Sequence, residues 1–317
     1  MTAEERTLIN DRYDKLFHEA ITSVGAFGFP EPARPTFSVS PEDRESIFQD
    51  LWEEGNGFRF LLGGFSDLVF DENANLEATE FIRRKVREIV KDQDKVKALL
   101  PSGFFARRPL TDDHYYERFN QNNILAVDLK DTPIERITPD GIKTRDGKTH
   151  LLDLIVFATG FDAFDGGYFR VDIRGRNGLS LRDHWADGPK AHLSVATSHF
   201  PNLFFLHSPG SPLSNLPINV ESSADFVRDV IAHAEELRKH GAGNGNVEST
   251  KEADEKWQDE VNKVADSSLF SKTPSWLFGN NIPGKKVVAR FYFGGLGRFR
   301  AALLDSKSKG FEGFQFR

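Results

Sequence analysis

The sequence predicts a mixed α/β chain with a helical first third, then short strands and helices to its end. Three observations carry this. Apolar residues recur at helical spacing up to about residue 99. From residue 124 they fall into short runs punctuated by Asp-Gly pairs. Two long amphipathic stretches return after residue 222. The 317 residues suffice for one large domain or two ordinary ones.

The elements follow in order. Thr2 and Glu5 form a capping box for a helix over 3–20, with Leu8, Tyr13, Leu16 and Phe17 on its apolar stripe. A Gly-, Pro- and Phe-rich loop follows. A second helix starts at Ser40 as cap with Pro41 in its first turn and stops near Gly55. A third covers 72–99, with Phe81, Ile82, Val86 and Val90 on one face. "ILAVDL" at 124–129 reads as a strand, and 134–150 as a hairpin turning at Asp140-Gly141 and Asp146-Gly147. "LLDLIVFA" at 151–158 reads as a buried strand running into a glycine-and-aspartate turn. Short strands and turns fill 168–206. Helices follow from about Ser222 to His240 and over "TKEADEKWQDEVNKVADSSLF". A strand-like "VVARFYFGG" and a helix near 297–309 close the chain.

Composition narrows the function. A formal charge of −7 argues against a nucleic-acid surface. No run approaches the ~18 apolar residues of a membrane helix, and the charged N-terminus has no signal-peptide core. The absence of cysteine excludes disulfides, thiolate catalysis and cysteine-bound metals, and fits a cytoplasmic protein. The 29 phenylalanines imply a large apolar core, an apolar groove, or both.

Motifs for common chemistries are missing. "GGLGRFR" at 294–300 lacks the third glycine of a dinucleotide loop. "GNNIPGKK" at 279–286 puts Lys286 where a phosphate loop needs a hydroxyl, and Pro283 removes an N–H; it reads as a tight turn. There is no nucleophile elbow and no histidine spacing for a metal. "TDDHYY" groups Asp112, Asp113, His114 and Tyr115, and reads first as a helix start capped by its aspartates, second as an acid–base group. In "ARRPL", Arg107 and Arg108 precede a stiffening proline and suit a phosphate, carboxylate or enolate, or an ion pair with Asp112 or Asp113. Proton transfer could fall to those acids or to His114, Tyr115, His192, His199 or His207; the sequence does not choose.

Taken in order, "FFARRPLTDDHYYERFNQNNI", "LDLIVFATGFDAFDGGYF" and "SWLFGNNIPGKK…FYFGGLGRFR" resemble the Baeyer–Villiger monooxygenases, which insert oxygen beside a ketone using FAD, NADPH and O₂. The resemblance implies that Arg108 is the arginine lying over the flavin and stabilising its oxygenated form and the nicotinamide. It places Arg107 near the NADP 2′-phosphate, Trp276 near the nicotinamide ribose and substrate, and Ala158–Asp162 near the flavin. Tyr115, Phe161, Asp162, Asn215, Phe278 and Asn280 would line the substrate region with Arg107. Asn280 stands where the family usually has alanine, and Ser208 where Gly-Pro is more usual.

The resemblance covers only the family's C-terminal portion; the N-terminal FAD-binding and first NADP-binding βαβ units have no counterpart here. The expected organisation is a helical subdomain over 1–105 and remnants of Rossmann-like NADP- and FAD-binding domains over 106–150 and 151–317. No cofactor or metal is then expected on this chain alone. The leading expectation is a repurposed, cofactor-independent cyclase, isomerase or lyase acting on an apolar polyketide- or terpenoid-like substrate, with Arg108, Trp276, Asp112 and His114 as catalytic residues. FAD and NADPH would return only if a second polypeptide completed a Baeyer–Villiger enzyme; a non-catalytic binding protein is the third reading. Open sheet edges predict a homodimer, or new intramolecular cover from the N-terminal helices and the "SVGAFGFPEPARPTF" loop.

Overall fold

A computed structural model describes residues 1–111 and 113–317. Along the chain lie α1 (Ala3–Asp11), α2 (Tyr13–Thr22), α3 (Pro41–Glu53), α4 (Gly57–Leu62), α5 (Glu72–Ile89), α6 (Gln93–Leu99) and α7 (Tyr115–Arg118). Then come β1 (Ile134–Thr138), β2 (Gly141–Thr144), β3 (Thr149–Leu151), α8 (Asp165–Tyr168), α9 (Leu181–His184), β4 (Ser211–Pro212) and α10 (Leu216–Lys239). β5 (Val247–Ser249), α11 (Lys251–Asp266), β6 (Phe291–Tyr292), α12 (Leu296–Ser308) and β7 (Phe314–Phe316) complete it. The chain divides into two compact units, one of residues 33–161 and one of residues 1–32 with 162–317.

In the 33–161 unit, local capping sets the helix starts. Ser40 Oγ accepts from Asp43 N at 3.1 Å, and Asp71 from Ala74 N at 2.8 Å. The helix expected over 72–99 is two helices. Val90 is extended (φ −88°, ψ 120°), and the Asp92 carboxylate restarts the chain as α6. The core is built from the rings of Phe48, Phe60, Phe65 and Phe81 with Leu51 and Leu68. Phe48 lies 5.5 Å from Phe60 and 5.3 Å from Phe65, centroid to centroid, within the range where aromatic pairs attract. β1, β2 and β3 form the expected antiparallel hairpin sheet.

The other unit is helical with short β ribbons. The helix expected over 3–20 breaks at Arg12 (φ −113°, ψ 10°). Leu181, Trp185, Phe200 and Phe205 form one core cluster. α11 buries Trp257 and Val261. α10 begins at Leu216, earlier than the apolar pattern suggests, because Pro217 is tolerated in a first turn. β4 pairs with β6 in parallel, and β5 with β7 antiparallel.

Four strand expectations fail, the first over 168–206, where the described residues form α9 and isolated bridges such as Ala196 with Phe204 but no strand. Residues 124–129 form no strand, and Leu125 and Leu129 are exposed. "LLDLIVFA" is a strand only at Leu151; beyond it Leu154, Val156 and Phe157 are 76%, 77% and 71% exposed. "VVARFYFGG" is reduced to Phe291–Tyr292. For 124–129 and 152–158 the reason is common: an apolar run marks what could be buried, but a ladder needs a neighbour, and among the described residues no strand pairs with these runs. "VVARFYFGG" meets only the two residues of β4, Ser211–Pro212, and its ladder is no longer than that. No described helix is long and apolar enough to cross a membrane.

Candidate functional site

Each unit carries part of the motif set. In the 33–161 unit the "ARRPL" segment runs against the start of α4. Gly57 allows this: a Cβ there would stand 2.7 Å from Leu110 O. Ala106 and Pro109 are buried, whereas Arg107 and Arg108 are exposed. The Arg108 guanidinium lies 5.2 Å from the Phe58 ring centroid and makes one long bond, 3.5 Å, to Pro109 O. Neither arginine pairs with a carboxylate among the described residues, so the alternative of an ion pair with Asp113 is not seen. Asp112 lies outside the described residues.

His114 and Tyr115, with Trp52, Tyr116 and Leu110, line a cavity of about 560 Å³. His114 is the N-cap residue of α7 in a left-handed conformation (φ 65°, ψ 28°), and its own side chain makes no cap bond. The N-cap position falls on His114 rather than on the aspartates expected there, of which Asp112 lies outside the described residues. Its Nδ1 lies 3.8 Å from Glu117 Oε1, both exposed. Phe161 is 85% exposed.

In the other unit the motif residues gather around Phe291. The rings of Phe164 and Trp276 meet it edge-on at 4.4 and 5.3 Å, and His207 lies 4.9 Å from Phe164. Burial holds the His207 imidazole below its ordinary pKa, favouring the neutral form. Phe278 is buried and stacks on Phe293 at 5.8 Å. Asn280 is exposed in the turn; Asn215 is the N-cap residue of α10 without a side-chain cap bond, and its backbone N–H donates to Gly25 O at 2.8 Å.

Asp162 belongs to an ion-pair lattice. Lys285 binds both the Asp162 carboxylate and Asp165 Oδ1, the latter at 2.7 Å. Arg290 grips Asp165 with Nε at 3.0 Å and Nη2 at 3.2 Å. Burial raises the Asp165 carboxyl, but bonds and charge from Arg290 and Lys285 outweigh it, leaving its pKa below the usual carboxylate value. The sequence reading missed Asp165 and Arg290. A lone arginine inside the apolar run "VVARFYF" was the available sign, since a charge in such a run needs a buried partner.

Both near-phosphate loops are committed to their own chain. At the start of α12, Leu296 N donates to Val24 O at 2.8 Å and Gly297 N to Ser23 O at 3.0 Å. In "GNNIPGKK", the N–H groups of Gly279, Asn280, Ile282 and Lys285 close turns onto Trp276, Ser275, Gly279 and Ile282. Of the remaining histidines, His192 is pushed down to about 4, chiefly by burial, and His199 is exposed. No group of metal-ligating side chains occurs among the described residues.

No protein-family profile matches the chain. A cyclohexanone 1,2-monooxygenase of an Acinetobacter species is 39% identical over 317 residues, all of this chain and 58% of that protein. A Baeyer–Villiger monooxygenase of Pseudooceanicola batsensis is 41% identical over 299 residues, 94% of this chain and 54% of that protein. A phenazine N-monooxygenase of Lysobacter antibioticus is 43% identical over 304 residues, 96% of this chain and 55% of that protein. The closed crystal structure of a cyclohexanone monooxygenase matches with a TM-score of 0.95 at 43% identity, covering 100% of this chain and 59% of that one. The chain thus spans little more than half the length of the relatives it matches. It belongs to the Baeyer–Villiger monooxygenase family and corresponds to the C-terminal portion of its members.

Proposed function

We propose that this chain supplies the nicotinamide- and ketone-facing portion of an FAD- and NADPH-dependent Baeyer–Villiger-type monooxygenase, completed by further polypeptide. One observation carries this reading: residues 152–160 form an apolar run outside any ladder, with Leu154, Val156 and Phe157 more than two-thirds exposed. A run of this kind suits an inner strand covered on both faces, and it calls for neighbours. The similarity to monooxygenases over the whole chain supports the same reading.

The available groups fit the cofactors. Arg107 and Arg108 present planar donors uncommitted to any described carboxylate, suited to a phosphate and to an electron-rich ring or oxyanion. Arg107 would hold the 2′-phosphate of NADP. Bound FAD and NADPH supply oxygen transfer and hydride. Arg108 would stabilise negative charge developing at the reacting oxygen. Trp276 would bear on the nicotinamide and the ketone. His114 and Tyr115 line an apolar-walled cavity that could admit an uncharged substrate.

The test is reconstitution. The purified chain is mixed with a polypeptide carrying the N-terminal portion of a cyclohexanone monooxygenase, then with FAD, NADPH and cyclic ketones. We expect stoichiometric flavin uptake and ketone-dependent NADPH oxidation only in the mixture, with Arg108→Ala abolishing turnover. No flavin uptake in any combination, with substrate conversion by the chain alone, would overturn this in favour of the cofactor-independent cyclase, isomerase or lyase. Light scattering on the chain alone reads whether a homodimer covers the exposed run.

A further inference from the structure

The two motifs that carry the family resemblance in the 162–317 part of the chain meet over consecutive residues. Asp165 binds Arg290 through both carboxylate oxygens. Their neighbours Phe164 and Phe291 meet ring to ring at 4.4 Å. Phe164 holds φ 58° and ψ −99°, a conformation that persists only where surrounding contacts over-determine it. Lys285 adds a second tie between the segments through Asp162 and Asp165.

Arg290 also organises the turn that bears Trp276. Its guanidinium donates to Phe278 O, to Lys286 O at 3.2 Å and to Val288 O at 3.2 Å. Its backbone N–H donates to Leu277 O at 3.1 Å, and Val288 N to Phe278 O at 3.2 Å. Gly279 (φ 84°) lies directly on the guanidinium, where a side chain would overlap it. One buried arginine, 1% exposed, thus satisfies three carbonyls of the turn and fixes it to Asp165. Trp276 leaves this turn and rests against Phe291.

We propose that Asp165 and Arg290 are positioning residues for Trp276, with residues 164–165 clasping residues 290–291 so that the indole is presented in a single orientation. The role given to Trp276 rests on the proposed oxygenase function; the clasp itself does not. Its test needs neither flavin nor turnover, so its failure is distinguishable from failure of that function.

The chain is labelled with 5-fluorotryptophan, and the resonance of Trp276 among the four tryptophans is assigned by its loss in Trp276→Phe. We expect one sharp Trp276 line in the unaltered chain. In Arg290→Met it should broaden or split, while the lines of Trp52, Trp185 and Trp257 stay in place. Arg290→Lys should recover part of the sharp line. A merely structural role would lower the melting temperature and leave the Trp276 line of the folded protein unchanged; that result overturns the proposal. Should Arg290→Met not fold, Asp165→Asn and Lys285→Met decide in its place, and an unaltered Trp276 line in both would equally overturn it.

Discussion

Arg290 and Arg108 both lie in segments that carry the family resemblance, yet their surroundings assign them opposite work. Arg290 is 1% exposed and spends its donors on Asp165 and three carbonyls. Arg108 is exposed, lies over the Phe58 ring and makes a single 3.5 Å bond. A buried guanidinium must be paired and hydrogen-bonded, and so becomes part of the scaffold. An exposed one held at its base by a proline stays available to a ligand. The residue type is the same; burial decides which one is committed to the scaffold and which is left open.

That contrast can be broken most sharply at Arg290. Arg290→Met leaves Asp165 buried without its bidentate partner, and should cost about 3–5 kcal/mol in denaturant unfolding. A loss below about 1 kcal/mol would mean that Lys285 alone compensates the carboxylate. Gly279→Ala probes the same contact from the other side. It puts a side chain at φ 84° against the guanidinium and should destabilise by about 1–3 kcal/mol.

Acid titration sharpens the comparison further. The Asp165 carboxyl has a lowered pKa in the fold, so its contribution is complete above the ordinary value of about 4 and is lost as pH falls below that through the lowered one. His192, pushed down to about 4, acts over a different window. Between its ordinary pKa of about 6.5 and that value the unfolded chain takes up a proton that the folded chain refuses, so stability falls as pH falls. The denaturation midpoint measured against pH should therefore flatten in this window for His192→Gln; an unchanged slope would count against a buried neutral imidazole. The smallest stability effect belongs to Arg108→Ala, within about 0.5 kcal/mol, although it should abolish turnover in the reconstituted enzyme. A large loss of stability there would show that Arg108 is scaffold after all.

Much of the local structure was legible from neighbouring residues. The capping box of Thr2 and Glu5, the Ser40 cap and the turns at Asp140-Gly141 and Asp146-Gly147 involve groups within a few residues of one another, and all are present. The candidate site residues could be proposed only through motifs. Arg107, Arg108 and Trp276 could be singled out because "ARRPL" and "SWLFG" are distinctive. Asp165 and Arg290 could not, because their meaning depends on each other across 125 residues.

By itself, then, the sequence determined the helix starts at Thr2 and Ser40, the hairpin turns and the family. Each depends on short spacings or on side-chain chemistry that one segment contains. Tertiary structure decided which apolar runs became strands, since a ladder exists only where a second strand stands beside it. It also decided which arginine is committed and which is left open, because desolvation and partners arrive with the fold.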